Sequence, residues 1–141
     1  MKLSLTCVCA LSSLLFISQE PPKPAEEKAA ATAEPKAASE AAKMVNPVSA
    51  TAESLAGGKK VYGTDCAMCH GKTGAGDGDL AVDMKLKLRD YREATALKEM
   101  TDGEIYEVIM KGKGQMMGEE GRLKPGQVWN VVNYVRLLGK K

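Results

Sequence analysis

The sequence predicts a small all-α domain of about four to five helices behind an unstructured leader. Three observations lead there. Apolar residues recur at helical spacing in three stretches of the C-terminal two thirds, and no stretch alternates as a strand does. Helix start and stop residues flank those stretches. The first fifty residues have the composition of an address and a tether rather than of a core.

Met1-Lys2 is a short positive region, and Leu3 to Ser18 is an apolar run of signal-peptide length. That run is short of the roughly 20 apolar residues of a membrane span. Residues 1–18 are therefore read as a signal peptide or N-terminal anchor. No small-x-small cleavage site follows Ile17-Ser18-Gln19, so cleavage and retention both stay open. Cys7 and Cys9 read as small apolar residues of this run.

Residues 19–48 read as an Ala/Glu/Lys/Pro linker. The run PPKPAEEKAAATAEPKAASEAAK has no aromatic residue and cannot bury enough apolar area to offset the entropy of ordering it. Pro21, Pro22, Pro24, Pro35 and Pro47 interrupt any helix. The globular domain is then residues 49–141. A net charge of +2, from 20 Lys and Arg against 18 Asp and Glu, gives no basis for nucleic-acid binding.

Within that domain, Leu55, Tyr62 and Cys66 share a helical stripe with Gly58, which predicts a helix from Thr51 to about Asp65 and a close helix crossing at the glycine. Lys72 to Asp79 is a polar, turn-rich loop. Thr101-Asp102-Gly103-Glu104 is a capping-box pattern, and Ile105, Val108 and Ile109 give the next helix its apolar face. Pro125 suits a first helical position, Val128, Val131, Val132, Val135 and Leu138 form the last stripe, and Gly139 stops it.

The chemistry is concentrated in Cys66-Ala67-Met68-Cys69-His70. Two thiols three positions apart, followed at once by His, form the attachment signature of a c-type haem. Both thioethers leave one short turn, and the adjoining imidazole then reaches the iron from the same side. A zinc site wants about four ligands, and downstream of the apolar leader only Cys66, Cys69 and His70 are present. A thioredoxin-like pair would sit among alternating strands and helices, which are missing. His70 is the only histidine, so two histidines of one molecule cannot both ligate the iron.

These residues resemble the class I monohaem cytochromes c, over roughly Ala52 to Leu138. Gly58-Lys59-Lys60-Val61-Tyr62 is similar to the end of that family's N-terminal helix. Cys66 to Gly71 is its haem-binding segment, and Gly76-Asp77-Gly78 the turn of its Gly-Asp-Gly subgroup. Gly112 to Met116 followed by Val128 to Leu138 is similar to its axial-methionine loop and C-terminal helix. The resemblance implies haem c with its iron, thioethers at Cys66 and Cys69, and His70 as one axial ligand. It places Tyr62 and Tyr134 at the crossing of the first and last helices, and is compatible with Trp129 reaching toward the haem edge.

Of the eight methionines, Met1 and Met44 lie outside the domain, Met68 lies inside the attachment turn, and Met100 and Met110 fall at or on a predicted helix. Met84 is unplaced. Met116 and Met117 lie in a glycine-rich loop that can bring a thioether over the haem. Alignment with the family through Lys111-Gly112 and Pro125 implies Met116 as sixth ligand, with Met117 its rival. Met117 stands where the family usually has Pro, a departure that removes a stiffener from the loop. In the family a Pro nine residues after the His offers its carbonyl to the second imidazole nitrogen. Here that residue is Asp79, whose backbone carbonyl is the expected acceptor.

The implied function is single-electron transfer between redox proteins outside the cytoplasm, in the periplasm or on the outer membrane face, with membrane association through the N-terminus. The protein is expected not to be an enzyme. Lys72, Lys85, Lys87, Arg89, Lys111 and Lys113 lie near the haem segments in sequence and would meet an acidic partner. Two alternatives stay open: a peroxidase-like enzyme or gas sensor with a displaceable sixth ligand, and an internal relay of a larger oxidase or dehydrogenase.

Overall fold

In the computed structural model, residues 40–140 are described, and they belong to one compact unit, Glu34–Lys141. The expected signal segment and the linker up to residue 39 lie outside the described residues. The rest of that linker is packed. A 3-10 turn, Glu40–Lys43, lies against the start of the helix at Asp102, with Ala41 buried. The Asn46 side-chain amide donates to Asn133 Oδ1 at 2.9 Å, and Asn133 Nδ2 in turn donates to the Val48 carbonyl at 2.9 Å. Composition misread this stretch because its anchors are backbone groups and small side chains, which carry no apolar signal.

Helix α1 is Ala52–Val61, capped by the Thr51 hydroxyl accepting from Ser54 N at 3.2 Å. It does not stop at the attachment motif. A π-helical turn, Tyr62–Cys66, carries it into α2, Ala67–His70. Helix α3 is Asp79–Asp83, α4 is Asp102–Lys111 and α5 is Pro125–Leu138. The Thr101/Glu104 capping box and the Pro125 start are both present. Between α4 and α5 lies a hairpin the sequence did not announce: β1, Gly112–Lys113, pairs antiparallel with β2, Met116–Met117. Two-residue strands are too short to show alternation.

Helices α1 and α5 cross at Gly58. A Cβ there would overlap the Asn130 carbonyl and sit 2.9 Å from the Tyr134 Cβ, so only glycine permits the approach. Tyr62 and Tyr134 meet at the same crossing, with ring centroids 5.2 Å apart and tilted by 59°. The valine stripe of α5 forms the core floor, and Val128, Val131 and Val132 are fully buried beneath Ile105 and Ile109 of α4. Arg136 binds the long segment before α4 to this floor. It donates to Asp102 Oδ1 at 2.8 Å and to the Leu97 carbonyl at 2.7 Å, and also reaches the Met100 carbonyl.

Candidate functional site

One apolar cavity brings together Cys66, His70 and Met116 of the residues that the sequence singled out. It measures about 730 Å³ counting its open mouth. Its lining takes Cys66 and His70 from the attachment turn, Arg89, Tyr91, Leu97 and Met100 from the segment before α4, Lys113 and Met116 from the hairpin, and Val131 and Val135 from α5.

The attachment turn is rigidly built. The π turn adds one residue to the helical repeat and so re-aims everything after it, which brings Cys66 and His70 onto the cavity side. Tyr62, itself 2 % exposed, donates its hydroxyl to the Gly71 carbonyl at 2.9 Å and fixes the chain just beyond His70. Burial pushes that phenol well above the usual tyrosine range, so it remains a donor at any working pH. Gly76 N bonds the His70 carbonyl at 2.8 Å and Gly78 N the Cys69 carbonyl at 3.1 Å, folding the glycine loop back onto α2.

Cys66 and Cys69 are both half-buried. Cys66 lies in the cavity lining, and Cys69 outside it. Burial, with the charges of Asp65, Glu119 and Cys69 behind it, pushes the Cys66 thiol up to about 12. His70 is shifted the other way, because burial lowers its pKa and favours the neutral ring that a metal requires. Its Nδ1 is buried with no hydrogen-bond partner. The expected bond to the Asp79 carbonyl is therefore absent. Asp79 is the first residue of α3, and a carbonyl there points along the helix into its own ladder.

Met116 lies half-buried against the cavity, whereas its neighbour Met117 is 79 % exposed. Strand alternation is the reason, since adjacent residues face opposite sides. Gly112 makes the hairpin possible: its φ of 81° is left-handed, and a Cβ there would overlap the Met116 carbonyl. Met84 caps α3 in solvent and lies outside the cavity lining. Trp129 stacks on Tyr106 at 4.2 Å instead of lining the cavity.

Sequence reasoning missed Tyr91, Leu97 and Met100 among the residues that line the cavity. Tyr91 stacks on His70, with centroids 5.0 Å apart and planes 23° apart, and no pattern in its neighbourhood marks it. Met100 falls at the edge of a predicted helix, yet it lines the cavity and its sulfur accepts from Arg89 Nη1 at 3.6 Å.

The model of the family described as Cytochrome c matches residues 55–139. The chain belongs to the cytochrome c family. It is 37% identical over 84 residues to cytochrome c6 of Anabaena variabilis, covering 59% of this chain and 87% of that one. It is 34% identical over 87 residues to the Cbb3-type cytochrome c oxidase subunit FixP of Bradyrhizobium sp. (strain ORS 278), covering 57% of this chain but only 29% of that protein. Among solved structures, the KustC0563 c-type cytochrome superposes with a TM-score of 0.51 at 30% identity, over 57% of this chain and 95% of its own. A chain of the Kuenenia stuttgartiensis reducing HAO-like protein complex gives 0.55 at 24%, over 65% of this chain and 46% of that one, a likeness of fold.

A cytochrome c carries one covalently bound haem c with its iron and works by haem-based electron transfer. The residues present fit that group. A cavity lined mainly by apolar side chains opens beside a Cys-x-x-Cys-His turn, and an imidazole kept neutral by burial stands in its wall.

Proposed function

We propose that the protein is an exported single-electron carrier, not an enzyme, in which Cys66 and Cys69 hold the haem by thioethers and His70 and Met116 supply its axial ligands. The observation that carries this reading is that Cys66, His70 and Met116 line one cavity while Met117 faces solvent. When bound, the haem supplies a one-electron couple whose potential an axial thioether raises. The chain's own residues do the rest. His70 offers a neutral ring, and the valines of α5 and the isoleucines of α4 keep water from that couple. With His70 and Met116 both holding the iron, no position would be left for oxygen or peroxide chemistry.

Met100 is the rival inside the cavity, but its sulfur already accepts from Arg89. Arg89 and Lys113 lie in the lining, which supports a positive rim facing acidic redox partners. No helix among the described residues is long and apolar enough to cross a membrane. The likeness to an oxidase subunit supports a second reading, an internal relay. Co-purification with a larger complex from solubilised membranes distinguishes a relay from a free shuttle.

Three measurements test the proposal. A haem-stained denaturing gel should show the wild-type band and lose it in the Cys66→Ala/Cys69→Ala double variant. The ferric wild type should show the weak near-red charge-transfer band of a thioether-bound haem, and the reduced form should bind carbon monoxide poorly. Met116→Ala should remove the band and open the iron to carbon monoxide, and Met117→Ala and Met100→Ala should not. A wild type that binds carbon monoxide freely would favour the gas-sensor or peroxidase-like alternative.

A further inference from the structure

The loop carrying Met116 continues into Gly118-Glu119, where the main chain doubles back along the end of α4. Glu119 N donates to the Ile109 carbonyl at 2.9 Å and Glu120 N to the Met110 carbonyl at 3.0 Å. The Glu119 side chain turns inward and the residue is 7 % exposed, although it is a carboxylate three positions from the proposed ligand. Its partner is Arg122, whose Nη1 lies 3.0 Å from Oε2, an ion pair whose angle falls short of an aligned hydrogen bond. The same guanidinium reaches the segment that bears Cys66. Arg122 Nη2 donates to Asp65 Oδ1 at 3.1 Å, and Asp65 immediately precedes Cys66 in the π turn. The other Asp65 oxygen accepts from the Thr64 hydroxyl at 2.9 Å, which holds the carboxylate in place. The charges of Asp65 and Glu119 are both felt at Cys66, where they act in the same direction as burial.

We propose that Arg122 is a positioning residue for the sixth ligand: its guanidinium fork ties the Met116 loop, through Glu119, to the turn that bears Cys66, through Asp65. The proposal rests on Met116 being that ligand. Arg122 is itself 58 % exposed, and an exposed ion pair contributes little on its own. Its leverage comes from Glu119. A buried carboxylate deprived of its cation is strongly disfavoured, and it relieves that cost by turning out to water. Because Glu119 is the residue whose backbone pins the loop to Ile109, turning it out lifts the hairpin that carries Met116. With strands of two residues each, little besides the Met116 contact with the core and the Glu120 bond to the Met110 carbonyl resists this. The fork suits arginine in particular, since two carboxylates on different segments need two separate donor groups.

The test is a titration of the ferric holoprotein with imidazole, which competes for the thioether's place, followed through loss of the near-red band. In Arg122→Gln the affinity for imidazole should rise about tenfold or more over wild type. Arg92→Gln, which breaks the exposed pair with Asp90 elsewhere on the surface, should leave it unchanged. The Glu119→Gln/Arg122→Gln double variant should return most of the way to wild type, because the uncompensated charge is gone. Arg122→Lys keeps a cation but loses the fork and should fall between wild type and Arg122→Gln, which covers the case of an Arg122→Gln protein that fails to fold. An Arg122→Gln protein within twofold of wild type overturns the proposal, as does, where Arg122→Gln fails to fold, an Arg122→Lys protein with wild-type affinity, and so does a double variant that binds imidazole no more weakly than Arg122→Gln. A wild type without the band would instead overturn Met116 ligation, and this proposal with it.

Discussion

The two sides of the cavity are built to different standards. The side that carries Cys66 and His70 belongs to one helical run from Ala52 to His70, locked to α5 at Gly58 and tied down beyond His70 by the buried Tyr62 hydroxyl. The side that carries Met116 is a hairpin with two-residue strands, one residue half-buried and the next in solvent, pinned by backbone bonds to the end of α4. A segment that must present two covalent attachment points at one spacing needs a rigid frame. A single thioether, with three rotatable bonds, can be delivered by a looser one. With Met116 as the proposed ligand, the difference assigns fold stability mainly to the first side and ligand control mainly to the second.

Gly58→Val is the substitution expected to break that division most severely. The new side chain overlaps the Asn130 carbonyl and the Tyr134 Cβ, so α1 and α5 must separate, at a cost of about 3 kcal/mol or more. Thermal or denaturant unfolding of the holoprotein reads it. A loss below about 1 kcal/mol would show that the crossing is softer than this packing implies.

Gly112→Ala acts on the other side. It forces a left-handed φ on a residue with a Cβ and crowds the Met116 carbonyl, for roughly 1–2 kcal/mol of global stability. Its larger effect should be spectroscopic, with the near-red band weakened and carbon monoxide binding strengthened. Stability loss with an unchanged band would mean that the hairpin does not set the ligand.

Tyr62→Phe keeps the ring against Tyr134 and removes only the hydroxyl that holds Gly71. About 1–1.5 kcal/mol of stability should go, since the Gly71 carbonyl loses its donor. The near-red band should stay, because the distal hairpin is untouched. Met117→Ala is expected to change least, within about 0.5 kcal/mol, because the side chain already lies in solvent. A measurable loss would show that Met117 packs onto the hairpin after all.

The sequence by itself determined whatever is local or periodic. The attachment turn is contiguous, so Cys66, Cys69 and His70 could be read directly. The stripe of α5 repeats over fourteen residues, and the Thr101/Glu104 box spans a single helical turn. Gly58 announced its crossing because an interior helical glycine needs a reason. Tertiary structure alone decided the rest. Met116 and Met117 are neighbours in similar surroundings, and only the strand register separates the half-buried one from the exposed one. Tyr91 and Met100 reach the cavity on a segment without periodicity, held there by Arg136 from the far end of the chain. Residues 40–48 look like tether in composition, yet they are caught by Asn133, 87 positions from its partner Asn46. The Asp79 carbonyl was placed by counting from His70, and the helix that begins at Asp79 turns it elsewhere. Each of these depends on which distant backbone lies alongside, and a chain carries no local record of its neighbours in space.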